Sequence, residues 1–299
     1  MGSLRRQSLL IAASTLALCM AVGAGISHYA MERSMREFEG RDAAHTLDRI
    51  NILLDLQLEN MRKQATDYAV WNTTYDFMAS ADPEYVKENY SEAIFENLDI
   101  DSAFLIRPDG RIAMALFKAD QLAPGATGMR YIANAKAMPL SEQIARKTAG
   151  YREPKIGSIL SVDGKLYIFG VSDILTNDGN GPSRGKVVFI RMLDKKRMEY
   201  LKMLAQEDFI LKTDQIEDRI AIGDERVVSV KTMLDTAGRP VADIIVDQPR
   251  PLKQLVTTTR NIISANALVL TLIALLFVFL MFDRLVLRKI DALVRNIFS

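Results

Sequence analysis

Residues 155–171 read KIGSILSVDGKLYIFGV, two apolar-rich runs (155–162 and 165–171) joined at Asp163-Gly164. An Asp-Gly step suits a two-residue turn with positive φ, so the stretch predicts a β-hairpin. The same pattern recurs on either side. Upstream, 103–106 and 112–117 read as strands joined by Pro108-Asp109-Gly110, a strong turn signal. Downstream, a polar loop at 176–185 (TNDGNGPSRG) leads into a strand at 186–192 (KVVFIRM) and a helix at 195–205. A last hairpin joins 227–234 to 240–246 through Asp235-Thr236-Ala237-Gly238, and a short helix is expected at 141–148. Hairpins in succession, with few helical crossovers, predict an α+β domain in which helices flank an antiparallel sheet.

Toward the N-terminus the periodicity becomes helical. Leu47, Ile50, Leu54, Leu58, Met61, Ala65 and Tyr68 recur at steps of three or four, and no proline intervenes before Pro83. The pattern predicts a long N-terminal helix. Its apolar stripe fits either a face packed on its own domain or a dimer seam, with Gln57 interrupting a strict heptad. Two uncharged apolar runs lie farther out, 9–26 (LLIAASTLALCMAVGAGI) and 262–282 (IISANALVLTLIALLFVFLMF). Each is long enough to cross a bilayer as a helix. Arg5 and Arg6 precede the first, and Arg284, Arg288, Lys289 and Arg295 follow the second, which places both termini in the cytoplasm. Arg33 and Arg36 lie on the other side, but long loops translocate regardless of charge. Gly23, Ala24 and Gly25 admit a cleaved signal peptide as the alternative, although the first run exceeds the usual length of a signal h-region.

The expected organisation is therefore a cytoplasmic tail (1–8), a transmembrane helix (9–28), an extracytoplasmic domain (29–260), a second transmembrane helix (261–282) and a cytoplasmic stub (283–299), in a bacterial inner membrane. The stub is too short to fold alone. Neither span carries a carboxylate, which favours anchors or carriers of a mechanical signal over an ion path.

Composition narrows the function further. Lys and Arg number 38 against 37 Asp and Glu, so net charge gives no argument for nucleic acid. One cysteine, Cys19, precludes a disulfide within the chain, and His28 and His45 lack metal-ligand spacing. The sequence has no GxSxG elbow, no Walker loop, no GxGxxG and no cysteine–histidine nucleophile pair. The expectation is a non-enzyme without a cofactor.

Residues 67–78, DYAVWNTTYDFM, resemble the fourth class of CHASE domains, extracytoplasmic sensory modules of bacterial receptors. Asp67, Ala69, Trp71 and Tyr75 match that pattern, and Asn72 stands where an aspartate is usual. Gly181-Pro182 with 185–194 (GKVVFIRMLD), and Gly238-Arg239-Pro240 with Pro249-Arg250, resemble later segments of the same family. The resemblance covers about residues 35–258. It implies a PAS- or Cache-like fold, detection of a small ligand or environmental cue, and an output through cyclic di-GMP signalling or a histidine kinase, supplied in cis or in trans. A homodimer is expected. The alternative is a non-catalytic regulatory or structural subunit that pairs with another membrane protein.

On one helix, Asp67, Trp71, Tyr75 and Met78 would share a face through steps of four, four and three. Those aromatics either wall a small-ligand cavity or fill the core between helix and sheet. Arg191 lies in an apolar strand on the same face as Val187 and Phe189, so it requires an anion, either Asp67 or a ligand carboxylate. The expected ligand-binding residues are Asp67, Trp71, Asn72, Tyr75, Tyr167 and Arg191; of the residues on the neighbouring hairpin, Tyr167 and Asp173 are the weaker candidates.

Overall fold

The computed structural model describes residues 2–118, 129–133, 143, 153–213, 218–282 and 284, and in it 155–171 is a hairpin. Strands β4 (Lys155–Val162) and β5 (Lys165–Asp173) pair from Val162↔Lys165 to Lys155↔Ser172. Asp163 and Gly164 turn between them with φ of 51° and 72°. Strands β1 (Ser102–Ile106) and β2 (Ile112–Lys118) form the other hairpin. Strand β6 (Lys186–Met192) lies between the two hairpins, pairing β1 on one side and β5 on the other. With β3 (Met129–Ala133), the antiparallel order is β3-β2-β1-β6-β5-β4. A second sheet holds β7 (Phe209–Lys212), β8 (Arg219–Ile222), β9 (Arg226–Leu234) and β10 (Pro240–Pro249) in the order β7-β10-β9-β8. Strands β3, β7 and β8 were not expected from the sequence. The helix expected at 141–148 falls outside the described residues, apart from Gln143.

Helix α1 (Gly2–Ala69) is the expected long helix. Its stripe is part of the chain's own core. Leu47, Ile50 and Leu54 pack with Phe209, Ile244 and Val246 of the second sheet. Met61, Ala65 and Ala69 pack with Leu105, Ile168 and Phe189 of the six-stranded sheet. None of these six helix residues is more than 4% exposed, so the stripe is a core face and not a free dimer seam. The six-stranded sheet is apolar on both sides. Leu105, Ile168 and Phe189 face the helices, while Phe104, Phe169 and Val188 belong to a separate buried cluster on the other side, as strand alternation dictates.

Two glycines set how closely α1 approaches. Gly157 of β4 and Gly170 of β5 are register partners. A Cβ on Gly157 would lie 2.1 Å from the Leu58 carbonyl oxygen, and one on Gly170 would lie 2.1 Å from that of Met61. Gly170→Ala is therefore expected to cost about 1–3 kcal/mol or more, because α1 must lift off the sheet. A urea titration followed by the fluorescence of Trp71, the sole tryptophan, reads the loss. An unchanged midpoint would show that α1 does not sit on this notch.

The chain divides into two compact units. One comprises residues 43–221 and 228–247, with the six-stranded sheet and most of the second. The other comprises 1–42, 222–227 and 248–299, including the start of α1 and helix α6 (Pro251–Phe282). Both α1 and α6 contain stretches long and apolar enough to cross a membrane. Within this second unit, Glu39 and Arg250 form a buried ion pair, in which Arg250 Nε donates to Glu39 Oε1 at 2.9 Å and Nη2 lies 2.7 Å from Oε2. Arg250 also donates to the Gly223 carbonyl at 2.6 Å, and its backbone N–H donates to that of Glu225.

Candidate ligand-binding site

Helix α1 does not carry Trp71 and Tyr75 on the face of Asp67, as the sequence spacing suggested. It ends at Ala69, and Trp71 is the extended N-cap residue of a new helix, α2 (Asn72–Ser80), with φ −126° and ψ 137°. The local sequence explains the break. Val70, Thr73 and Thr74 are β-branched, and Asn72 and the threonines offer side-chain hydrogen bonds that compete with helical ones. The Thr74 hydroxyl donates to the Tyr68 carbonyl at 2.7 Å, and Leu175 N–H donates to the Ala69 carbonyl at 3.2 Å. Both satisfy carbonyls that the end of α1 leaves open.

Four of the expected residues, Asp67, Trp71, Asn72 and Tyr75, flank this break in sequence, and their side chains take different partners. The half-buried Trp71 ring lies 4.7 Å from that of Tyr68, which in turn contacts Tyr90 at 5.6 Å and Phe189 at 5.3 Å. Asn72 and Asn177 clasp each other, each side-chain oxygen accepting from the other's backbone N–H at 2.8 and 3.0 Å. Tyr75 donates to the Pro182 carbonyl at 3.2 Å, and the Arg184 guanidinium lies 3.7 Å above its ring. Arg184 also donates to the Tyr75 carbonyl at 2.8 Å. Asn72 and Tyr75 thus hold the 176–185 loop against α2. Asp67 is exposed one turn earlier, and its charge adds to burial in raising the Tyr68 phenol pKa. Deeper in, the Tyr85 hydroxyl lies 2.6 Å from that of Thr74, and burial pushes the Tyr90 phenol well up.

Arg191 does not meet Asp67. Its guanidinium donates to the carbonyls of Asp99 (2.6 Å) and Leu98 (3.0 Å) and to Gln57 (3.1 Å), and it lies 3.2 Å from the Asp99 carboxylate. It therefore caps the C-terminus of the helix that follows α3 (Pro83–Asn89), α4 (Glu92–Leu98), where open carbonyls and the helix dipole favour a cation. Burial pulls its pKa down, while Asp99 opposes that shift. Tyr167 is elsewhere too, packed against the apolar cluster on the sheet's other face. Among the described residues, no three His, Cys, Asp or Glu side chains group as metal ligands.

Sequence reasoning missed the ion network beside Arg191. Arg197 donates to Asp101 at 2.6 and 2.9 Å and to Asp99 at 2.7 Å, while Lys118 reaches Asp101 at 3.2 Å. Asp101 also accepts from Met192 N–H at 2.8 Å. Burial pushes the Asp101 carboxyl up, but the Arg197 bonds outweigh it and hold the group below its ordinary value. Asp194 caps helix α5 (Lys195–Ala205) by accepting from Arg197 N–H. Arg191 and Asp194 thus cap two helices, α4 and α5, from the end of β6. A groove of about 500 Å³ opens next to it, lined in part by Lys165, Leu166, Met192, Met198 and Leu211.

The CHASE4 domain family model matches residues 53–212. The methanogenesis regulatory histidine kinase FilI of Methanothrix harundinacea (strain 6Ac) is 21% identical over 275 residues, covering 87% of this chain and 30% of that protein. The chain thus spans about 30% of the length of the curated relative that it matches. Among solved structures, the periplasmic domain of Vibrio cholerae LuxQ aligns with a TM-score of 0.46 and 13% identity, over 70% of this chain and all of that one. A domain of a sensory box/GGDEF family protein from Vibrio parahaemolyticus aligns with a TM-score of 0.48 and 10% identity, over 71% and 96% of the two chains.

Proposed function

The chain belongs to the CHASE4 domain family, and on that premise we propose that it is the sensing part of a bacterial inner-membrane receptor, binding a small ligand or registering a cue outside the cytoplasm. The observation that carries this reading is a CHASE4 domain in a chain whose two ends hold helices able to cross a bilayer. The proposed layout keeps 29–260 outside, 9–28 and 261–282 in the membrane, and both termini in the cytoplasm. Binding would bias the positions of α1 and α6, which pass the change to a kinase or cyclic di-GMP output in cis or in trans. A homodimer belongs to this proposal. Ile52 and Leu56, both more than half exposed on α1, offer it a surface other than the buried stripe.

Alkaline phosphatase fused after residue 150 is expected to be active and fused after residue 290 inactive. The reverse pattern would overturn the orientation. Within the outer domain, the proposed contact group is Asp67, Trp71, Asn72 and Tyr75, because the half-buried Trp71 indole packs on Tyr68, whose phenol also feels the charge of the exposed Asp67 carboxylate. The contacts of Arg191 and Tyr167 favour support roles for them. Screening the full chain in detergent against small acids, amines and nucleotides tests this reading. A ligand at 100-fold excess over Kd stabilises by about 2.7 kcal/mol. Trp71→Phe and Asp67→Asn should each reduce that gain, and a ligand whose effect survives both substitutions binds elsewhere.

A further inference from the structure

We infer that the groove between the two membrane helices holds one anionic phospholipid of the outer leaflet. This rests on the membrane-spanning reading above. A cavity of about 600 Å³ runs between α1 and α6. Ala17, Met20, Ala21 and Ala24 line its deeper part from α1, with Ala267 and Leu268 from α6. The alanines, with Gly23, leave room for a slender apolar body. Toward the outer end the lining turns polar, with Ser27, His28, Ser264 and Arg260. Near the deep end the helices touch, the Thr271 hydroxyl lying 2.6 Å from the Met20 sulfur.

Length and charge together select the occupant. From His28 to Ala17 is eleven residues, a rise of about 16 Å. That is close to half of the roughly 30 Å hydrocarbon core, the depth of one leaflet. An acyl chain laid in the groove would therefore end near the bilayer centre, with its headgroup at Arg260. That arginine is exposed and has no ion pair among the described residues. Glu32, the acid nearest the α1 mouth in sequence, is paired with Arg36 at 3.2 Å. The mouth thus presents a cation and two hydroxyls at headgroup level, where a phosphate finds both charge and donors. A helix from a second copy would fill the apolar part, but residues 9–28 and 251–282 contain no Asp or Glu to meet Arg260, whereas a phosphate headgroup would.

The test uses the full chain in nanodiscs of mixed phosphatidylglycerol and phosphatidylcholine, with retained lipid counted by native mass spectrometry after gentle detergent release. One phosphatidylglycerol per chain is expected, preferred about fivefold over phosphatidylcholine, the factor for one basic residue at an anionic surface. Arg260→Gln should abolish the preference and Arg260→Lys should keep it. Filling the groove with Ala21→Leu and Ala24→Leu should remove the retained lipid altogether. Equal retention of both lipids by the unmodified chain, or a preference that survives Arg260→Gln, overturns the proposal. So does efficient cross-linking of Ala24→Cys between copies, which would put a second chain in the groove. Alkaline washing separates the two readings. A chain stripped from the bilayer refutes the membrane reading and this one together, whereas a chain that stays without a lipid preference refutes this one alone.

Discussion

Arg197→Met should destabilise the outer domain by about 3–5 kcal/mol, the usual cost of removing one partner from a buried ion pair. The side chains of Arg197 and Asp101 are 14% and 8% exposed, so solvent screens them little. Asp99, with a half-exposed side chain, adds less. The substitution leaves the Asp101 carboxylate to Lys118 and one backbone N–H. Asp101→Asn in the same chain should recover much of the loss, because it removes the stranded charge. The effect depends on pH with a definite sign. Asp101 titrates lower in the folded chain than in the unfolded one, so its contribution is present above the ordinary aspartate value near 3.9 and is lost as pH falls through the depressed value. The gap between the unmodified chain and Arg197→Met should therefore be widest near neutrality and shrink on acidification. A gap constant from pH 7 to pH 3 would show that the lost stability comes from packing alone.

Arg250→Met should have an effect of similar size in the unit that holds α6 and the start of α1. Arg250 and Glu39 are 5% and 7% exposed, and losing the guanidinium strands both the Glu39 carboxylate and the Gly223 carbonyl. A cost of about 3–5 kcal/mol is expected, with partial recovery in the double variant Glu39→Gln, Arg250→Met. Hydrogen exchange localises it. Amides of 222–227 and the first turn of α6 should lose protection, while those of β5 and β6 should keep theirs. Uniform loss across both units would show that the pair supports the whole chain and not this one unit.

Local patterns carried much of this architecture. The Asp163-Gly164 turn, the strand 186–192 and the helix 195–205 are as expected, because each is set by neighbouring residues. The α1 stripe was legible as a helix face, but what covers it was not, since a seam and a core face have the same period. Strand β7, four residues long, is stabilised by pairing with β10, and no local pattern announces it. The shared helical face expected for the candidate residues is not what the structure shows. Trp71 packs on Tyr68 and Tyr75 on Arg184, at a helix break that a count of helical steps passes over. Arg191 correctly demanded an anion, and the partner found is Asp99, 92 residues away. The pairing of Glu39 with Arg250, 211 residues apart, is equally invisible to spacing rules.

The notch at Gly157 and Gly170 also bears on how this domain can diverge. Leu58 and Met61 are three residues apart, a rise of about 4.5 Å, close to the roughly 4.8 Å between neighbouring strands. Helix α1 thus steps from β4 to β5 with one main-chain carbonyl over each glycine. At most crowded positions a lineage can accept a larger residue once a neighbouring side chain has been trimmed. Here the obstacle is the main chain itself, so no prior substitution makes either glycine permissive. Gly110 and Gly238, where an added Cβ meets nothing within 4 Å, carry only the strain of their positive φ. In a deep mutational library, suppressors should be recoverable for Gly110 and Gly238 but not for the pair under α1.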